Sequence, residues 1–187
     1  MTINQLLASS SATPWVRGSL VGLDLSHKSL DGVVANELDA SKASFRGSTL
    51  REARFDDSNF IEANFEGSVL DFGVYTECRF NESLFRDASL QQTRLLICHA
   101  IGADFSEADL SNAQLIDGLF IDCTATNADF TGANCFNSSF RDADLTGANF
   151  TKADLTNVNF HGATLTGVIW TDAILIGAKF DSGSPPV

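Results

Sequence analysis

No stretch of this sequence approaches the ~20 consecutive apolar residues that a membrane-spanning helix needs. Proline is scarce, and the three present, Pro14, Pro185 and Pro186, all lie near the ends. The long middle of the chain therefore keeps every backbone donor available for pairing. Basic residues are few: 12 Lys and Arg against 24 Asp and Glu give a formal net charge of −12. That balance argues against nucleic acid or anionic lipid as a direct partner, because both need Lys and Arg to neutralise phosphate. The four cysteines, Cys78, Cys98, Cys123 and Cys135, have no CxxC spacing and no accompanying His cluster, so they read as buried thiols. The N-terminus has no basic residue before its short apolar stretch at 3–8, which makes it a poor secretory signal. A cytoplasmic location is expected.

What the chain has instead is a period of five. The 33 residues whose numbers are multiples of five, from Leu20 to Phe180, include 13 Leu and 13 Phe. The residue two places earlier is Ala at 15 of those 33 positions and otherwise mostly another small residue. No insertion or deletion breaks this register.

Neither regular element accounts for it. A helix turns 100° per residue, so a period of five makes no stripe along it. A straight strand alternates faces, so an odd spacing would turn every second Leu or Phe outward. A short extended segment that points the small and the large residue the same way, followed by a bend, satisfies both. Repeating the bend every five residues wraps the chain into a coil with those residues inside. Charge placement agrees: all 24 Asp and Glu fall on the other three positions, and Lys28 is the one charged residue in an inward slot. Glycine recurs two places after the central large residue, where a bend requires an unusual backbone angle.

Units such as Ala103-Asp104-Phe105-Ser106-Glu107, Ala108-Asp109-Leu110-Ser111-Asn112 and Ala143-Asp144-Leu145-Thr146-Gly147 resemble the pentapeptide-repeat family, with its approximate consensus A(D/N)LXX. The resemblance covers about nine-tenths of the chain. It implies an all-β fold: a right-handed quadrilateral β-helix, four pentapeptides per turn and about eight coils. With strands ~4.8 Å apart the rod would be about 40 Å long. Residues n and n+20 then stack, giving interior columns such as Phe60, Phe80, Ala100, Phe120, Phe140, Phe160 and Phe180. Cys78 and Cys98 become column neighbours, within reach of a disulfide; two thiols are expected in a reducing compartment.

Three segments follow. Residues 1–17 lack the period, and Ile3, Leu6 and Leu7 suit a short helix that, with Trp15, caps the coil. Residues 18–182 form the β-helix, and 183–187 are a tail too short and polar to cover the last coil. Leu165, Trp170, Leu175 and Phe180 are then a candidate stacking interface, and an uncapped end suggests a homodimer joined C-terminus to C-terminus; the alternative is that Ser182–Val187 folds back over Trp170 and the rod stays monomeric.

No catalytic, metal or cofactor site emerges. His27, His99 and His161 sit at different repeat positions, and no pair falls on neighbouring coils. Stacked carboxylates such as Asp109 with Asp129 arise wherever a repeat carries Asp. The outward positions do depart from polarity at Leu96, Ile97, Ile101, Ile116, Leu119, Ile121 and Phe136, a candidate interaction patch. The expected function is a non-enzymatic protein-interaction module presenting a rigid acidic rod. The alternative, from family members that resemble DNA in shape and charge, is a DNA mimic that binds DNA gyrase and modulates quinolone sensitivity. Against the mimic, each face of the square carries six Asp and Glu, so the charge is diffuse.

Overall fold

The structure, a computed structural model, describes residues 18–181 and the backbone of Trp15–Val16. Five short strands, β1 (Trp15–Val16), β2 (Val34–Asn36), β3 (Arg54–Asp56), β4 (Val74–Thr76) and β5 (Arg94–Leu96), form one parallel sheet in chain order. Each pairs with the next at an offset of 20 residues, as in Ala35↔Phe55 and Tyr75↔Leu95. Parallel bridges carry the same offset around the other faces, from Ser19↔Asp39 to Asn159↔Lys179. One turn of the coil is therefore four five-residue units. The expected helical cap at 1–17 lies outside the described residues, apart from Trp15–Val16, where the chain is already paired as a strand; the tail at 183–187 also lies outside. No helix among the described residues is long and apolar enough to cross a membrane.

Each unit uses its backbone in the same way. Around Phe60, the Phe60 N–H donates to the Arg79 carbonyl on the next coil at 2.7 Å, and Asn59 donates back to Leu38 at 2.8 Å. The bend closes when Ala63 donates to the Phe60 carbonyl at 3.0 Å. That bend needs a left-handed residue two places after the central one. Every such position from 22 to 177 has positive φ, occupied by ten glycines and 22 other residues. A Cβ in this region costs about 1–2 kcal/mol, which explains why Gly, Asn and Asp predominate there. The Asp or Asn before the central residue caps the turn with its side chain. Asp104, Asp129 and Asn149 accept in this way from the N–H groups of Ser106, Thr131 and Thr151 at 2.9–3.0 Å. The A(D/N)L pattern is thus one wall residue, one turn cap and one core residue.

The interior is a set of aromatic stacks. Phe45, Phe65, Phe85 and Phe105 lie nearly parallel at 4.7–4.8 Å between ring centroids. Ala125 ends that column, and an edge contact from Phe105 to Phe120 at 6.0 Å passes the aromatic core to the stack of Phe120, Phe140, Phe160 and Phe180. Lys28, the charge in an inward slot, is exposed on the first described coil.

Candidate interaction surface

Faces are named here by their central residues: the first holds 20, 40 to 180, the second 25 to 165, the third 30 to 170 and the fourth 35 to 175. On the fourth face the strands β2–β5 stay extended through one more residue than elsewhere. Its corner is tied by side chains from the next coil. Leu38 and Gly118 donate their N–H groups to Ser58 and Ser138 Oγ at 3.1 Å. The Cys78 and Cys98 thiols donate to the Phe55 and Tyr75 carbonyls at 3.5 and 3.3 Å. All four cysteines are free. Burial pushes the thiols of Cys78 and Cys135 well up, and that of Cys123 to about 12, so these thiols stay protonated and unreactive.

The apolar patch begins at this corner. Ile97 donates to the Ile116 carbonyl at 3.0 Å and Asp117 to the Phe136 carbonyl at 3.1 Å, which sets Leu96, Ile116 and Phe136 on three successive coils. Around the next bend Gly102 donates to the Ile121 carbonyl, so Ile101 and Ile121 stack in the same way, and Leu119 lies between the two corners. Ile97 and Phe136 are 48% and 40% exposed; the other five are half-buried. The seven occupy two successive corners and the face between them.

Two features are not apparent from the sequence pattern. Of the 22 non-glycine residues with positive φ, 20 are polar or charged; the exceptions are Phe72 (φ 60) and Ile97 (φ 57). Both are exposed, Phe72 at 51%. For a β-branched or bulky residue this conformation is an outlier. The signal was present in the sequence as an apolar residue at the Gly/Asp/Asn position, but the angle there had to be known. The second feature is a set of arginines outside the ion pairs. Arg46, Arg51, Arg86 and Arg141 each meet a carboxylate within 4.0 Å, whereas Arg54, Arg79 and Arg94 make no ion pair among the described residues and are exposed.

The C-terminal coil is less closed than the rest. Leu165, Trp170 and Leu175 are half-buried, while Phe180 departs from the expected open layer and is buried, stacked on Phe160 at 5.2 Å and edge-on to Trp170 at 6.0 Å. Ile169, Ile174 and Ile176 add exposed apolar surface. Asp181 takes one backbone donor at this edge, accepting from Gly162 N–H at 3.1 Å and lying 3.0 Å from His161 Nδ1. These bonds hold its carboxyl below the usual range.

Among the described residues no group of three His, Cys, Asp or Glu is placed to hold a metal. Asp104 is the most enclosed carboxylate. Burial raises its pKa, but bonds from Ser106 and from the Arg86 guanidinium outweigh that and leave it below normal. Its two oxygens are taken up by Ser106 and Arg86.

Comparison with known proteins agrees with this architecture. The family model for pentapeptide repeats in eight copies matches residues 41–71, and that for a pentapeptide-repeat region matches 95–170. No curated protein matches the chain. Among solved structures, HetL, a pentapeptide-repeat protein involved in heterocyst differentiation regulation in the cyanobacterium Nostoc sp. strain PCC 7120, is 22% identical with a TM-score of 0.51, covering 98% of this chain and 99% of its own. QnrB1, a plasmid-mediated fluoroquinolone resistance protein, is 21% identical with a TM-score of 0.50, covering 91% of this chain and 92% of its own. At this identity the likeness concerns the fold alone. With the five-residue register, the 20-residue ladder and both family models in agreement, this chain belongs to the pentapeptide-repeat family.

Proposed function

We propose that this protein is a non-enzymatic interaction module: a right-handed rod of about eight coils, cytoplasmic and without cofactors, that binds a protein partner through the patch at Leu96, Ile97, Ile101, Ile116, Leu119, Ile121 and Phe136. The observation that carries the reading is Ile97. Its backbone is strained and its side chain is exposed, and neither feature adds stability to the fold. Family membership supports the coarser statement, since pentapeptide-repeat proteins are generally structural or interaction proteins. Affinity purification from the native host tests it. A partner retained by the wild type and lost by Ile116→Thr with Phe136→Thr is the expected result; equal retention would move the site elsewhere.

A second reading is a DNA mimic acting on DNA gyrase. The net charge of −12 and the fold likeness to a fluoroquinolone resistance protein favour it. The even spread of carboxylates over four faces counts against it. A gyrase supercoiling assay with and without ciprofloxacin separates the two readings: an effect at stoichiometric protein would put the mimic first.

A further inference from the structure

The first face, with the corner on either side of it, carries charge toward its two ends and apolar residues near its middle. Its central outward column is bridged coil to coil from Ser19 to Lys179. Along that column Asp39 stands near one end and Lys179 at the other, with His99 and Leu119 between them. One flanking column is linked by bonds such as that from Glu62 N–H to the Asn81 carbonyl. It runs through Ile61, Asn81, Ile101, Ile121 and Arg141. The opposite flanking column runs through Asp56, Thr76, Leu96, Ile116 and Phe136. Glu82, Arg141 and Lys179 are exposed, and Asp39 is half-buried.

This order is self-complementary. A second copy can be turned over about a two-fold axis that crosses the face between the coils of Ala100 and Phe120. The unit of residue 40 then lies on that of 180, 60 on 160, 80 on 140 and 100 on 120, so eight of the nine units on this face are matched. Down the centre Asp39 meets Lys179 of the second copy, Asn59 meets Asn159 and His99 meets Leu119. On the flanks Ile101 meets Ile121, Leu96 meets Ile116, and Arg141 meets Asn81 with Glu82 beside it. No like charges are opposed in the three columns. Sliding the copy by one coil sets Arg141 on Ile61 or on Ile101, and a parallel arrangement sets Asp39, Arg79 and Lys179 each on itself. We propose that the first face pairs two copies of this chain side by side and antiparallel. The proposal rests on the interaction reading above and names a second copy as the partner of its patch. Eight coils at ~4.8 Å and about 15 Å of width give a footprint of roughly 550 Å² on each copy. The pair therefore buries about 1,100 Å², at the low end of specific interfaces, and associates above the micromolar range. The negative charge of both copies does not override the matched pairs, because at physiological salt the Debye length is about 8 Å.

Cross-linking with a carbodiimide, which joins a carboxylate to an amine in direct contact, tests the pairing in the wild-type protein at about 100 µM. Asp39 and Lys179 are seven coils apart within one chain, about 34 Å. An Asp39–Lys179 link found by mass spectrometry therefore comes from two copies in this register, since contact through the last coil leaves Asp39 at the far end. The link should form in the wild type and fall at least about fivefold in Ile116→Thr with Phe136→Thr. A charge swap read by sedimentation is the second measurement, with Trp170→Glu and Leu175→Glu in every chain so that the open end does not contribute. Glu82→Arg and Arg141→Glu each oppose like charges at two symmetry-related places and should weaken pairing at least about fivefold. Mixing the two variants opposes unlike charges at both places and should restore it. Both side chains are exposed, so the fold should tolerate either change. The proposal is overturned if the Asp39–Lys179 link is absent up to about 1 mM, or if the mixture pairs no better than its components. A host protein other than this chain, retained by the wild type and lost on Ile116→Thr with Phe136→Thr, would then leave the interaction reading standing with a different partner.

Discussion

Tyr75 stacks on Phe55 at 5.5 Å with 16° between the rings, yet its hydroxyl is buried without a hydrogen-bond partner among the described residues. The ring stabilises the core and the oxygen does not. Burial pushes the phenol well above its ordinary pKa, so it stays neutral. Removing the oxygen leaves the stack intact and ends the desolvation cost. Tyr75→Phe should therefore stabilise the protein by about 1–2 kcal/mol, seen as a higher midpoint in urea. A lower midpoint would mean that the hydroxyl is satisfied.

Ile97 offers a trade between stability and recognition. Asn tolerates the left-handed region that the β-branched side chain resists. Ile97→Asn should raise stability by about 1 kcal/mol while weakening retention of the partner. If both fall together, Ile97 is held by contacts within the rod rather than kept for a partner.

Inward and outward positions should differ sharply in cost. Phe120 is buried and stacks on Phe140 at 5.1 Å, so Phe120→Ala should cost about 3–5 kcal/mol. Ile116→Thr with Phe136→Thr should leave the melting temperature nearly unchanged, because neither side chain is fully enclosed. Equal losses would contradict the partition.

Asp104 makes stability depend on pH in one direction. Its folded pKa lies below the ordinary 3.8, so the charged form is favoured by folding. The stabilisation is fully present above about pH 5 and is lost as pH falls through 3.8 toward the folded value. Thermal midpoints of wild type and Asp104→Asn should differ at about pH 7 and converge below about pH 4. A gap that widens in acid would reverse the assignment.

The last coil should decide assembly. Half-buried Trp170 and Leu175 with exposed Ile174 and Ile176 favour a closed two-fold dimer through this end. Sedimentation at micromolar concentration should show twice the 20.0 kDa chain mass, reduced to a single chain by Trp170→Glu with Leu175→Glu. A single-chain species that persists on concentrating would remove the dimer.

The sequence by itself determined which residues face inward, because apolar burial and exclusion of charge act on each five-residue unit separately. Phe120 and Leu145 could be placed in the core, and Asp129 on the surface, without knowing any long-range neighbour. The bend, too, was legible in the glycines at 22, 47 and 147. Only the tertiary structure decided what closing four bends brings together at an offset of 20, because a period of five is equally compatible with other numbers of units per turn. The Cys98 thiol on the Tyr75 carbonyl, the Arg86–Asp104 pair and the column that sets Arg54 and Arg94 two coils apart all depend on that closure. Each is a relation between coils, and none is written in any one unit.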